Sequence, residues 1–294
     1  MRISGAGQVL ALYCWTVLTG CPSPAPQKPD ANTNKEKQAV TEHFLTGLRN
    51  HDNTLPNRAA DIPGDWLEQV AKAWREFDAE SHDIAVSTAT KMRGRQAGRF
   101  LLSVAGLGGE ESTAAAAALL KHPDCPDGNS ILVTAQVVKD PNTRFHLYRA
   151  AGAHGAAITT FEPLTKKETD PEARQGAEEA LARLGHLPAL HAMYERISKA
   201  TAGEIVVMSE GMIYVSDKRL AKALIPWLHK TDPVTRLGSD RSPAMARQCD
   251  FALWTAHQLS AGVTLPVNYL DNYSSAAFAA AKAVLQELPD LPPL

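Results

Sequence analysis

Asp-Pro-x-x-Arg occurs three times in this chain: Asp140-Pro141-Asn142-Thr143-Arg144, Asp170-Pro171-Glu172-Ala173-Arg174 and Asp232-Pro233-Val234-Thr235-Arg236. Composition alone predicts roughly 0.06 such matches, so the motif marks a repeated unit. Its residue types suit a helix start. Asp caps the free N–H groups of the first turn. Pro follows where no N–H bond is lost. Arg lies one turn beyond Asp, where the two can pair. The first two copies are 30 residues apart, and the register persists: Ala150 matches Ala180, Gly155 matches Gly185, Ala157 matches Leu187 and Leu164 matches Tyr194. In the second copy Ala173, Ala177, Ala180, Leu181 and Leu184 fall on one helical face. Gly185 then breaks the helix, and Leu187, Leu190, Met193, Tyr194 and Ile197 form the face of a second one. This is a helix–turn–helix unit.

The third copy is irregular, because Leu-Gly-Ser-Asp follows Arg236. Counted from Pro243, Cys249, Ala252, Leu253, Ala256 and Leu259 fall where the second copy places its apolar face. Asp232 is therefore read as capping a short turn and Ser242-Pro243 as the repeat start. A proline beside bulky apolar residues (Phe161-Glu162-Pro163-Leu164, Leu187-Pro188, Ile225-Pro226-Trp227, Leu265-Pro266) is read as opening each second helix.

With these units the chain resembles the HEAT repeat family in its short, armadillo-type class, the best match being Asp-Pro-Glu-Ala-Arg-Gln-Gly-Ala-Glu-Glu-Ala-Leu-Ala-Arg-Leu-Gly from residue 170. The resemblance covers roughly 135–265 and implies an all-α fold, an α-solenoid of helix pairs whose surface binds another protein. Helices are also expected over 38–49, 64–78, 84–104, 112–120 and 274–288. The apolar run 204–215 is read as a helix, although its pattern suits a strand as well.

The N-terminus carries a different message. Residues 9–18 (VLALYCWTVL) are uncharged, too short to span a bilayer comfortably and suited to a secretory signal core. Leu18-Thr19-Gly20-Cys21 then resembles the bacterial lipobox, whose cysteine receives a diacylglycerol and becomes the mature N-terminus. A polar, Pro-rich stretch over 22–37 reads as a disordered spacer. The expected organisation is a signal peptide (1–20), a lipidated linker (21–37, lipid on Cys21), an N-terminal helical region (38–134), a HEAT-like region (135–288) and a Pro-rich tail (289–294). Pro22, rather than Asp, implies by the family's sorting rule the periplasmic side of the outer membrane. Each buried methylene contributes about 0.8 kcal/mol, so two or three acyl chains anchor durably.

Little points to chemistry. A formal net charge of −2 argues against nucleic-acid binding through bulk charge. The ten histidines include no His-x-x-x-His pair, and no Cys-x-x-Cys occurs, so no metal, cofactor or catalytic residue is assigned. Gly106-Leu107-Gly108-Gly109-Glu110-Glu111-Ser112 lacks a Walker lysine and reads as a corner between helices. Cys125 and Cys249 are expected free and largely buried, since stacked repeats this far apart in sequence do not meet. Lys91, Arg93, Arg95 and Arg99 read as a solvated basic face, or as a contact for an acidic partner or lipid headgroup. The expected function is a membrane-anchored, non-enzymatic scaffold for an envelope protein, with no small-molecule substrate. A periplasmic immunity protein neutralising a toxin is the alternative, and a HEAT-like enzyme, metal-dependent or a lyase, is the rival of a different class.

Overall fold

A computed structural model describes residues 31–237, 244–265 and 270–294. Over these residues the protein is all-α apart from one two-stranded hairpin. Cys21, the signal segment, Ser242-Pro243 and Pro266 lie outside the described residues. The α-helices are α1 (Ala31–Arg49), α2 (Asp65–Lys72), α3 (Ala79–Lys91), α4 (Arg95–Leu107), α5 (Glu110–Leu119), α6 (Gly128–Val137), α7 (Pro141–Ala153), α8 (Ile158–Lys167), α9 (Pro171–Arg183), α10 (Leu187–Lys199), α11 (Glu204–Val215), α12 (Gln248–Gln258) and α13 (Ser275–Gln286). Tighter 3-10 turns cover Leu55–Arg58, Trp74–Glu76 and Lys218–His229.

Both regular motifs start helices as their chemistry dictates. Asp140 accepts from the Thr143 N–H at 2.7 Å, and Asp170 from the N–H groups of Glu172 and Ala173, with Pro141 and Pro171 opening α7 and α9. The arginines do not pair with their own aspartates. Each carboxylate accepts from its own first turn, and the guanidinium turns to other acceptors. Arg144 donates to the carbonyls of Val138 and Lys139 and grips Glu168 through two nitrogens, at 3.0 and 3.2 Å. Arg174 donates to the Glu168 carbonyl. Glu168 thus joins the two motif arginines.

Several boundaries differ from the sequence reading. α1 begins at Ala31, so 31–37 continue the helix upstream rather than forming a disordered linker; residues 35–37 are exposed Lys-Glu-Lys, good helix formers. The segment 84–104 is two helices, because Met92 is extended and Gly94 adopts φ +100. The segment 64–78 shortens to α2 plus a 3-10 turn. Helix α6, capped by Asp127, had no predicted counterpart. The third motif starts no helix: Pro233–Leu237 forms strand β1, antiparallel to β2 (Ala244–Arg247). Val234 and Thr235 are β-branched, which favours that outcome. α12 begins at Gln248 rather than near Ser242, yet the anticipated face is correct, since Cys249, Ala252, Leu253, Ala256 and Leu259 are all buried. Pro163 sits inside α8 and Pro226 inside the turn Lys218–His229, so among the described residues only Pro188 opens a second helix. The run 204–215 is helical, as α11.

Packing is mostly between near neighbours in sequence. α1, α3, α5, α7, α9 and α11 touch in succession, and so do α2, α4 and α6. Two apolar cores result. One runs from Phe44 to Leu181 and the other from Ala182 to Leu285, and they meet at α9. Small residues permit the closeness. A Cβ on Gly176 would lie 2.6 Å from the Phe145 carbonyl, and one on Gly128 would lie 2.3 Å from the Ala156 nitrogen.

Polar side chains bind successive units at nearly constant spacing. Thr113 and Thr143 share a hydroxyl bond at 2.8 Å, His122 donates to the Met92 carbonyl and Trp227 to that of Ile197, each pair 30 residues apart. Ser81 reaches back to Leu48 (33 residues) and His154 to Leu119 (35). His122 is buried, and both it and His154 brace neighbouring segments.

Candidate functional site

The densest buried chemistry lies where α7, α9 and α11 meet. Arg149 on α7 and Glu179 on α9 form an ion pair, the Arg149 Nε donating at 2.7 Å. The side chains are only 11% and 4% exposed, so the pair is largely desolvated. The other Glu179 oxygen accepts from Gln175 at 2.9 Å. The Arg149 guanidinium also faces the rings of Phe145 and Tyr214. Tyr214, on α11, donates its hydroxyl to the Arg149 carbonyl at 2.6 Å, and burial raises the pKa of that hydroxyl, so it stays protonated. Arg183 donates to the Tyr214 carbonyl and its guanidinium faces the same ring. Burial, with Arg149 nearby, lowers the tendency of His146 to take a proton. Two glycines make room: a Cβ on Gly211 would stand 2.6 Å from Glu179 Oε1, and one on Gly152 would stand 2.6 Å from the Tyr214 hydroxyl.

Through Gln175 and Glu179 this network reaches a cleft of about 270 Å³ between α9, α10 and α11. Met193, Ile197, Val207 and Met208 supply apolar surface; Gln175, Glu179, Arg196 and Glu204 supply the polar edge. Val207 is 54% exposed at its mouth. Arg196 is held by Glu178 at 2.8 Å, and Glu204 accepts from the backbone and hydroxyl of Thr201, so both edge charges are already partnered. Methionine-lined clefts adapt to apolar groups of varied shape.

Neither Arg149 nor Glu179 belongs to a motif that the sequence marks as functional. The signal was present, since the shift of 30 that aligns Ala150 with Ala180 also sets Arg149 one position before and Glu179 likewise.

The other singled-out residues lie apart from this cleft. Cys125 and Cys249 are free; Cys249 is buried and Cys125 only half-buried, less enclosed than expected. Burial pushes the Cys125 thiol up to about 12, which makes it a poor nucleophile. Gly108 and Gly109 form the corner between α4 and α5 with φ of +80 and +114. His51 lies between Asp78 and Glu80, and His82 stacks on Trp74 beside Glu111. Among the described residues no three His, Cys, Asp or Glu side chains gather as a metal would require, and no helix is long and apolar enough to cross a membrane. Arg95 and Arg99 overhang a separate cleft with Asp124, Cys125, Asp127 and Ser130.

Compared with models of known protein families, with curated proteins and with solved structures, the chain matches none.

Proposed function

We propose that this protein is a lipid-anchored scaffold of the bacterial envelope, built as an α-solenoid of HEAT-like helix pairs that presents an extended surface to another protein. One observation carries the scaffold reading: cross-links recur at about 30 residues, from Met92–His122 through Thr113–Thr143 and Arg149–Glu179 to Ile197–Trp227. Each unit braces the next, as a stack of supersecondary units requires. A rigid stack leaves helix faces free, and the cleft at Met193, Val207 and Met208 is suited to an apolar side chain of a partner. The anchor rests on Leu18-Thr19-Gly20-Cys21 behind the apolar stretch 9–18.

The test has two arms. Cys21→Ser should move the protein from the membrane to the soluble fraction with its fold unchanged; a variant that stays in the membrane sinks the anchor. A photo-crosslinking residue at Val207 in the lipidated protein should capture one discrete envelope protein. No adduct there, with adducts elsewhere on the surface, would reject the cleft as the contact. If the captured protein is a secreted toxin whose activity falls on binding, the role is that of an immunity protein.

A further inference from the structure

The α4–α6 face carries an unused charge arrangement beside an unused apolar one. We propose that it is a docking surface for an acidic amphipathic helix of a partner protein, with carboxylates meeting Arg95 and Arg99 and apolar side chains covering Leu107, Val133 and Val137. This inference rests on the scaffold reading and gives that partner its chemistry.

α4 and α6 pack side by side and run the same way. Arg95 and Arg99 at the start of α4 share a cleft with Ser130 near the start of α6, while a Cβ on Gly106 would come within 3.4 Å of Thr134. Arg95 and Arg99 are four residues apart, so their guanidiniums emerge one above the other. Both are exposed, and among the described residues neither forms a salt bridge or hydrogen bond. The cleft beneath them is about 430 Å³. The two aspartates on its wall are engaged elsewhere: Asp124 accepts from the Gly94 N–H at 2.7 Å, and Asp127 caps α6. Arginine forks match a carboxylate in two parallel bonds, so a pair of them one turn apart suits acidic side chains at the same spacing.

At the far end of the same face, Leu107, Val133 and Val137 are 58%, 63% and 71% exposed. Val133 and Val137 lie one turn apart on α6, and Leu107 ends the neighbouring helix. From Arg99 to Leu107 the helix advances by about 12 Å, so three turns of a partner helix span both ends. The concavity under the two guanidiniums favours a protruding acidic side chain, which can enter between them, over a flat anionic bilayer.

The probe is a fluorescein-labelled helical peptide of three to four turns, with two Glu one turn apart at one end and a Leu stripe at the other. The protein is the full chain carrying Cys21→Ser, so that acyl chains do not confound a parallel arm with vesicles of phosphatidylglycerol and phosphatidylcholine. Binding is expected, with the double variant Arg95→Ala/Arg99→Ala weakening it by about tenfold or more, and Glu→Gln in the peptide doing the same. Val133→Ser/Val137→Ser should weaken it independently. Arg95→Glu/Arg99→Glu should reject the acidic peptide and accept its Lys counterpart. Absence of peptide binding, a change of less than twofold in the arginine variants, or vesicle binding abolished by those same variants while the peptide fails to bind overturns the proposal. Each of these leaves the Val207 adduct untouched, so the scaffold reading stands or falls separately.

Discussion

Arg149 and Glu179 hold opposite charges in a setting almost free of water, 2.7 Å apart, with Gln175 and the Phe145 and Tyr214 rings closing the shell. Removing one partner leaves the other charge buried and alone, which costs about 3–5 kcal/mol, whereas replacing both with apolar side chains of similar volume is close to neutral. Glu179→Ala is therefore expected to lower the urea midpoint severely, and Arg149→Met/Glu179→Leu to recover most of the loss. If the double variant is as unstable as the single one, the pair contributes net stability and the desolvation argument fails here. Glu179 also lines the cleft at Met193 and Val207, so the double variant also asks whether the cleft needs that charge or only its shape.

Between residues and molecule stand the joints that break helices. Gly94 separates α3 from α4 with φ +100 and ψ 154, a conformation that favours glycine, and a Cβ there would meet nothing within 4 Å. The substitution Gly94→Ala thus probes backbone strain alone. It should destabilise by about 1–3 kcal/mol, visible as a lower melting temperature, without disturbing packing. Unchanged stability would show that the joint relaxes without cost. This joint also explains a miss: the apolar spacing over 84–104 is nearly continuous, and only the local conformation of Met92-Arg93-Gly94 divides it. The hairpin makes the same point in reverse. Asp232-Pro233-Val234-Thr235-Arg236 has every residue of a helix start, yet residues 233 and 235–237 pair with β2, on either side of an irregularity at Val234.

At the scale of the whole molecule, many helices begin at aspartate caps whose charge is held by N–H and hydroxyl donors. The Ser81 N–H, before any other donor, brings the Asp78 carboxyl down to about 2 from 3.8. The Ser130 hydroxyl lowers Asp127 and the Thr143 hydroxyl lowers Asp140. A carboxyl depressed on folding binds its proton less tightly in the folded state. Its contribution is present above the unfolded value of 3.8 and is lost as pH falls toward about 2. Melting temperature should thus fall steeply between about pH 4 and pH 2, and Asp78→Asn/Asp140→Asn, which keeps acceptors that do not titrate, should flatten that limb. An equally steep limb in the double variant would place acid sensitivity elsewhere, Glu168 among the alternatives: burial raises its carboxyl, but the Asp170 N–H and Arg144 outweigh that and leave it lowered.

The all-α class came with the repeat resemblance, and the pattern of 204–215 suited helix and strand alike. From period and cap chemistry alone came the helix starts at Asp140 and Asp170, the break at Gly185 and the buried face of α12. These are local matters, decided by hydrogen bonding within a turn and by which side of a helix is apolar. The tertiary structure alone decided that the motif arginines serve Glu168 rather than their own aspartates. It also buried Arg149 against Glu179, turned the third motif into a strand and, among the described residues, left Arg95 and Arg99 without a salt bridge. Each of those depends on which neighbour approaches across a helix interface. A side chain's partners there are set by distances of a few ångströms between units some 30 residues apart, and sequence spacing names the units without fixing the approach.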